Sequence, residues 1–289
     1  MKKKTIGVAL LAALCANAFA QGASNEQGSA VQAEMSVGQS VSVFAGLRLW
    51  ANKWDVPYVT REAFLADPTN PASLMLRDLA TNRVTSYEIS PMPFVAVRFG
   101  DVLASVSYLP ETEYDMGNAL SENVKRDELD INVGYYVHPR LVLSLGYKQG
   151  KQSKTTDLIA DSEVKVKGLL VGASLNAPVS GPFSLYGNFA YGLSKAENQG
   201  FKNLNGDDEL DGSYKVAEIG VSYNLSHLLG SGVLKGAALT FGYRSWVLSF
   251  DDFPVGTYAP SNPLVPVSIS NQDTRSTTEG FVLGAVAVF

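Results

Sequence analysis

Charged side chains occur on the polar face of segments whose hydrophobicity alternates, and these are the groups with which the chain could act on a solute. Alternate side chains of a strand point to the same face, so these residues would share one polar surface. An unpaired buried charge is costly, so carboxylates and basic groups confined there would form pairs. The set predicts either a charged constriction that selects small solutes or a pairing network that fills the interior. Its members are Arg48, Glu88, Arg98, Asp130, Lys148, Glu218 and Arg244.

A second group of charges is acidic and lies in the loop-like stretch 205–212. Its carboxylates are Asp207, Asp208, Glu209 and Asp211. Carboxylate-rich loops can bind Ca²⁺, but this run lacks the alternating Asp/Asn pattern, ending in Glu, of an EF-hand. A solvated loop is the simpler interpretation, and a cation site is the alternative. The sequence has no Gly-rich phosphate loop, and we predict no cofactor.

The first twenty residues have the features of a signal peptide. Three lysines at 2–4 precede an apolar segment at 6–14, and residues 18–20 form a small-x-small cleavage site. Cleavage after residue 20 would remove Cys15, the one cysteine of the chain, so the mature protein would have no thiol for a disulfide, a zinc site or catalysis. It would also change the net charge from −5 to −5 − 3 = −8, which argues against a nucleic-acid partner.

Beyond a polar stretch at 21–35, which we expect to be a periplasmic tail, the chain alternates between apolar and polar residues. Most alternating segments have about the 9–11 residues that a tilted strand needs to cross a bilayer. No internal run reaches the roughly 18 consecutive apolar residues of a transmembrane helix. We predict ten strands, near residues 40–49, 87–99, 102–110, 129–137, 141–149, 166–176, 183–194, 214–225, 237–248 and 279–289.

The connections between these segments alternate between short and long, and aromatic residues gather near the strand ends. Both features are typical of outer-membrane barrels. Every backbone donor needs an internal partner in hydrocarbon, so a spanning sheet must close. The sequence therefore predicts an all-β fold, a closed antiparallel up-and-down transmembrane β-barrel over residues 36–289. About ten strands are expected, with eight or twelve as alternatives. The remaining alternative for the fold is a soluble barrel, in which the apolar face of each strand would point inward.

Two places disturb the pattern. Pro91 and Pro93 occur within the second segment, although a closed barrel has no edge where a missing donor is harmless. They are expected above the membrane or at a bulge. Around Gly168 the apolar positions change phase, which a bulge would explain.

The last strand carries a family resemblance. Apolar residues occupy every second position back from the terminal Phe289 to Phe281. This pattern resembles the C-terminal signal of bacterial outer-membrane β-barrel proteins, which their assembly machinery reads. The resemblance implies export to a bacterial outer membrane, with the assembly machinery, membrane lipid and lipopolysaccharide as partners. Lys165 and Lys167 would then meet lipopolysaccharide phosphates at the outer rim, or else point into the lumen.

An enzyme is conceivable, because ten-stranded outer-membrane proteases, the omptins, exist. That family implies a histidine and several carboxylates at the extracellular rim. The two histidines here, His138 and His227, fall at the predicted periplasmic turns instead. A Ser–His hydrolase is disfavoured for the same reason, so we predict no enzymatic activity.

The sequence thus predicts a non-enzymatic outer-membrane barrel, either a narrow solute pore or a filled structural barrel. The alternative is a surface adhesin or receptor that acts through its long loops. The first loop, 51–86, is rich in apolar residues. Those residues would either contact a surface ligand or become buried as the loop folds over the barrel mouth.

Overall fold

The computed structural model describes residues 41–116, 123–153, 163–198, 209–228 and 233–289. They form eleven β-strands and two short 3-10 turns, Pro71–Ser73 and Ser226–Leu228. None of the helical turns within these ranges is long and apolar enough to cross a membrane. The strands are β1 Val41–Leu65, β2 Leu74–Val84, β3 Glu88–Phe99, β4 Val102–Tyr114, β5 Val124–His138, β6 Leu141–Ser153, β7 Glu163–Ser180, β8 Phe183–Asn198, β9 Glu209–Asn224, β10 Gly236–Ala259 and β11 Asn262–Val288.

Ten of the strands close into a hydrogen-bonded ring. From β3 to β11 each strand pairs antiparallel with the next, and β1 completes the ring by pairing with both β3 and β11. The amide of Phe289 donates to the carbonyl of Val43 at 2.8 Å, and the amide of Val43 donates back at 3.2 Å. The predicted closed, antiparallel all-β barrel is confirmed, with ten strands in the ring.

The barrel has two unlike ends. At the turn end the strands are joined by tight connections, such as Gly100-Asp101, where Gly100 adopts a left-handed φ of 58°. At the loop end the strands continue past the predicted bounds, and β6 and β7 remain paired as far as Ser153 and Glu163. The sequence predicted only the apolar part of each strand, because a ladder of backbone hydrogen bonds can continue into water without an apolar face.

Side chains alternate strictly between the two faces of the wall. Along β1, Val41, Leu47 and Leu49 point outward and remain exposed, whereas Phe44 and Trp50 point inward and are buried. The same alternation around the ring leaves a belt of exposed apolar side chains on the outside, among them Val95, Ile131, Leu169, Leu193, Ile219 and Phe281. The interior holds the polar and charged residues together with the largest aromatic side chains.

The bulge expected near Gly168 is absent. β7 keeps one continuous register with both β6 and β8 through this residue. The apparent change of phase arises because the interior itself is apolar near the loop end, where the inward-facing Val164 and Val166 join a hydrophobic cluster. Lys165 and Lys167 consequently lie on the outer face, about half exposed.

Pro91 and Pro93 lie at a defect in the wall between β3 and β4. The two-residue turn directs the N–H of Phe99, and of every second residue before it, towards β4. Pro93 and Pro91 belong to that series and have no N–H, and the ladder ends at the Phe94–Ser107 pair. If the ladder continued in the same register, Pro91 would face Pro110. The carbonyl of Pro110 instead accepts a hydrogen bond from the Thr112 hydroxyl at 3.0 Å. Beyond Phe94, β3 is paired with β1 alone among the described strands.

The first long loop is largely strand. β1 continues beyond the ring and folds back as β2, and β10 and β11 form a second long hairpin beside it. The two hairpins meet where Leu76 pairs with Tyr258. We call this pair of hairpins, Asp55–Val84 and Ser249–Arg275, the arm. Trp54 and Tyr58 are buried at its base, whereas Leu65 and Leu74 are exposed at its tip. Some apolar residues of the first loop are therefore buried, as one expectation had it, and others remain exposed, as the other had it.

Candidate functional site

All three tryptophans of the chain lie in the interior of the barrel. Trp50 and Trp54 come from inward positions of β1, and Trp246 comes from β10 on the other side of β11. Their exposed fractions are 1%, 0% and 1%, respectively. Tyr114 packs edge-on against Trp54 with ring centroids 5.3 Å apart, and Tyr214 packs against Trp246 at 5.4 Å. These rings occupy the cross-section of the barrel towards its loop end.

A buried arginine lies between these rings. The Cζ atom of Arg126, on β5, is 3.8 Å from the centroid of the Trp246 ring and 5.6 Å from that of Trp54. Its guanidinium donates hydrogen bonds to a carboxylate oxygen of Glu128 and to the hydroxyl of Thr278. Arg126 is only 1% exposed. The charged group is thus held by an ion pair and by cation–π contacts rather than by water.

The same carboxylate links Arg126 to a lysine. Lys148, on β6, donates to the second oxygen of Glu128 and to Oδ1 of Asp130 at 2.9 Å. Adjacent strands bring these groups together, because Lys148 and Asp130 face each other across the β5–β6 ladder. Four charged side chains therefore form one connected chain in the interior.

A second charged group lies one layer nearer the turn end. Oε2 of Glu218 is 3.5 Å from Nη1 of Arg244 and 3.8 Å from Nη1 of Arg48. The Tyr186 hydroxyl donates to Oε1 of the same carboxylate at 3.1 Å. One carboxylate thus serves two guanidinium groups. Arg48 also lies 5.3 Å from the ring centroid of Phe94.

Between the two charged groups is a small cavity of about 70 Å³. It is lined by side chains of both groups and by neutral polar residues. Those that matter below are Arg48, Asp130, Lys148, Glu218, Arg244 and Asn132.

The charged residues singled out in the sequence fall into two sets. Five of them surround the cavity: Arg48, Asp130, Lys148, Glu218 and Arg244. Glu88 lies near the loop end, where its carboxylate accepts a hydrogen bond from the Ser86 hydroxyl at 3.1 Å. Arg98 lies near the turn end, where its Nε donates to the carbonyl of Gly100 at 2.8 Å and its Cζ is 4.1 Å from the Tyr136 ring centroid. These two are separate from the cavity lining.

Sequence reasoning missed Arg126, Glu128 and the interior aromatic rings. The fourth predicted strand, which corresponds to β5, began at residue 129, so both charges were assigned to a loop. The signal was present, because Asp130, Glu128 and Arg126 continue the inward-facing series by steps of two. The signal is hard to recognise because Arg126 and Glu128 stand next to Lys125 and Asp127, so no apolar face marks residues 125–128 as part of a strand.

The candidate cation site is described only in part. Asp207 and Asp208 lie outside the described residues. Glu209 is on the outer face of β9, where Lys195 donates to it at 2.7 Å and lowers its pKa. Asp211 pairs with Lys195 across the β8–β9 ladder. Within the described ranges, no three His, Cys, Asp or Glu side chains come together as metal ligands.

Both histidines are at the turn end. His138 ends β5, and its Nδ1 accepts a hydrogen bond from the amide of Arg140 at 3.2 Å. His227 lies in the short 3-10 turn after β9, next to Tyr223.

The C-terminal aromatic residues lie on the outer face, where Phe281 stacks on Phe241 with centroids 5.7 Å apart and Phe289 is 40% exposed.

No protein-family profile matches the chain, and no curated protein matches it. Among solved structures, it is similar to the outer membrane protease OmpT of Escherichia coli, with 12% identity and a TM-score of 0.47 over 87% of this chain and 98% of that one. It is similar to OmpT, an outer membrane protein of Vibrio cholerae, with 10% identity and a TM-score of 0.28 over 89% and 100%. The translocator domain of the autotransporter NalP of Neisseria meningitidis matches with 13% identity and a TM-score of 0.40 over 91% and 95%.

Proposed function

We propose that the chain is exported by its N-terminal signal peptide and spans the bacterial outer membrane as a barrel. The belt of exposed apolar side chains supports this, because a contiguous apolar surface around a whole barrel is unfavourable in water. The direction in which the apolar side chains of the strands point also supports this proposal. In a soluble barrel the apolar face would point inward, whereas here Leu193 and Ile219 are 71% and 69% exposed on the outside. The turn end would face the periplasm and the arm would face the medium.

Of the two interpretations of the lumen, we favour the filled structural barrel over the pore. One observation carries this choice: Trp50, Trp54, Trp246 and Arg126 meet in the same cross-section and are each at most 1% exposed. Because rings and ion pairs pack together there, we expect no continuous water path through that layer of the described residues. The protein would then be non-enzymatic, since both histidines lie at the turn end, away from the carboxylates of the loop end.

Conductance of the refolded mature protein in a planar bilayer tests this proposal. Folded wild-type protein should give no stable current steps. An Arg126→Ser/Trp246→Ala double variant should give steps, because it removes two of the groups that fill the cross-section. A Phe241→Ala variant, altered on the outer face, should stay silent. Reproducible steps from the wild type would contradict the filled lumen and favour the pore.

A second candidate function is binding of a surface ligand through the arm. The Tyr258 hydroxyl of one hairpin donates to Asp78 Oδ2 of the other at 2.7 Å, and this joins the two hairpins. Within the second of these hairpins, Arg61 Nε lies 2.8 Å from Asp78 Oδ1. Arg61 also covers the Tyr258 ring, with Cζ 3.7 Å from its centroid. Val265 and Val267 are about 60% exposed on the same arm. A fixed projection that displays apolar side chains favours contact with a partner.

Shortening the arm tests the second candidate. A variant that replaces residues 62–77 and 255–268 with short turns should keep the folded barrel, as judged by heat-modifiable migration in detergent. Binding of the variant to host cells or matrix should be lost if the arm is the binding element. Equal binding by the variant and the wild type would overturn this function.

A further inference from the structure

The charges in the barrel interior do not balance. The two charged groups contain four cationic side chains, Arg48, Arg126, Lys148 and Arg244, against three carboxylates, Glu128, Asp130 and Glu218. The difference is one positive charge (4 − 3 = 1). All of these side chains are buried or nearly so, and the most accessible of them, Asp130, has a side chain that is 22% exposed.

An uncompensated charge at such a position is unfavourable, because the packed interior cannot replace the hydration that the ion loses. The excess is also localised. At ion-pair distance, Glu128 contacts Arg126 and Lys148, and Asp130 contacts Lys148. Arg48 and Arg244 both approach Glu218, at 3.8 and 3.5 Å. The layer of Arg48 and Arg244 therefore contains two cations and one carboxylate.

The cavity lies at this layer. Three of its lining residues are cationic, Arg48, Lys148 and Arg244, and two are anionic, Asp130 and Glu218. Arg244 is 7% exposed, and its Nε is a buried donor with no hydrogen-bond partner among the described residues. A donor left unsatisfied in this way is costly. An anion in the cavity would both accept from this donor and balance the charge.

We propose that this cavity is a binding site for a small monovalent anion of halide size, such as chloride. A volume of about 70 Å³ admits one such ion, with water, but not a phosphorylated metabolite or a sugar acid. One negative charge restores neutrality, whereas a divalent anion would reverse the imbalance. The amide of Asn132, which also lines the cavity, offers a neutral donor to the same ion. The anion is thus a structural component of the filled interior.

Chloride dependence of unfolding tests the site. The mature protein is refolded without halide, and its thermal unfolding is measured in potassium chloride and in potassium gluconate at equal ionic strength, because gluconate is too large for the cavity. The unfolding midpoint of the wild type should rise with chloride concentration, by about 2–4 °C or more near saturation. Equal midpoints in the two salts would overturn the proposal.

Two variants separate specific binding from a general salt effect. Arg244→Gln leaves three cations against three carboxylates, so its midpoint should no longer depend on chloride. If that variant does not fold, Lys148→Gln removes one cation from the same lining and should behave alike. Arg98→Gln, altered near the turn end, should keep the full chloride dependence of the wild type. A chloride effect that persists in Arg244→Gln and Lys148→Gln would contradict the site.

Crystals soaked in bromide give a direct readout. An anomalous peak should appear beside Arg244 in the wild type and be lost in Arg244→Gln. Bromide only at surface positions would count against the proposal, whatever the unfolding data show.

Discussion

At the scale of single residues, the most informative side chain is Arg126. It is a cation at the centre of three tryptophans, and it remains there because Glu128 and Thr278 satisfy its donors. Removing one member of a buried ion pair is more damaging than removing both, because the remaining charge loses its partner without regaining water. The interior of this barrel should therefore respond sharply to single substitutions.

Arg126→Ala should lower the free energy of unfolding by about 3–5 kcal/mol, since it leaves a cavity among the rings and weakens the compensation of Glu128. Urea unfolding followed by tryptophan fluorescence measures this, because every tryptophan of the chain reports on the interior. Arg77→Ala serves as the control. Arg77 is nearly half exposed and lies 3.9 Å from Glu62, so its loss should cost less than about 1 kcal/mol. Similar losses in the two variants would show that Arg126 is not a buried anchor.

Alkaline pH should loosen the arm through Tyr258. Burial, together with the hydrogen bond to Asp78, raises the pKa of Tyr258 to about 12. An unfolded tyrosine titrates near pH 10, so the neutral phenol contributes stability that is fully present below about pH 10 and is lost as the pH rises towards 12. Circular dichroism of the folded protein should show a partial loss of strand signal over that window.

Tyr258→Phe should lack that transition, because it has no proton to lose. Tyr108→Phe, which removes a hydroxyl on the outer face of the barrel, should keep it. Persistence of the transition in Tyr258→Phe would assign it to another group.

At the scale of elements, the weakest part of the wall is the boundary between β3 and β4. Its ladder has six paired positions, from Phe94–Ser107 to Phe99–Val102, and it ends where the prolines begin. The neighbouring β1–β3 ladder continues over the same part of β3, as far as Glu88. A barrel is otherwise a closed ring of hydrogen bonds, so local opening should begin at this boundary.

Pro93→Val should extend the β3–β4 ladder, because it restores an N–H that points towards β4. The expected gain is about 0.5–1.5 kcal/mol of stability, with slower amide exchange over residues 88–93. Pro178→Val is the matched control, since Pro178 lies beyond the last β6–β7 pair and its N–H would gain no partner on that side. Faster or unchanged exchange in Pro93→Val would mean that the two strands are held apart for another reason.

The elements also show how far sequence reasoning extends. Alternation predicted every strand of the ring, because the period of two is a property of the backbone and leaves its mark in the residues. β2 was not predicted, since its residues, such as Arg77 and Asp78, lie outside the apolar belt and carry no such alternation. The prediction of a bulge at Gly168 was wrong, because the inward face of β7 changes from polar to apolar side chains along the strand without any change of register.

At the scale of the whole molecule, the ring closes along the ladder between β1 and β11, and Phe289 forms the end of that ladder. Phe289 pairs with Val43 through two backbone hydrogen bonds, and its ring lies on the outer face. Deletion of Phe289 should reduce the amount of protein in the outer-membrane fraction, because it removes the terminal position of the assembly pattern and one closing pair. Phe241→Ala, which removes an aromatic ring from the same outer face, should assemble at the wild-type level. Normal assembly without Phe289 would weaken the resemblance on which the localisation rests.

Five of the seven paired charges of the interior, all except Arg126 and Glu128, were recognisable in the sequence, and the face to which they point followed from their spacing along each strand. Their partners were not recognisable. Glu218 is joined by Arg48 and Arg244 because β1, β9 and β10 are brought round the ring at matching heights, and height depends on the register between strands. The alternating pattern cannot fix this register. If one strand shifts by two residues relative to its neighbour, every side chain stays on the same face but faces a different residue of the neighbouring strand.

By itself, then, the sequence determined the class of fold, a ring of about ten strands and the face to which most side chains of those strands point, because these follow from a local period. Only the tertiary structure shows that the three tryptophans and Arg126 lie together in one buried layer. Trp50 and Trp246 are almost two hundred positions apart in the chain, and they meet over Arg126 because the ring closes at one particular register. The surplus positive charge beside the cavity has the same origin. This surplus charge depends on which side chains lie in the same layer of the barrel, and that cannot be deduced from any single segment of the chain.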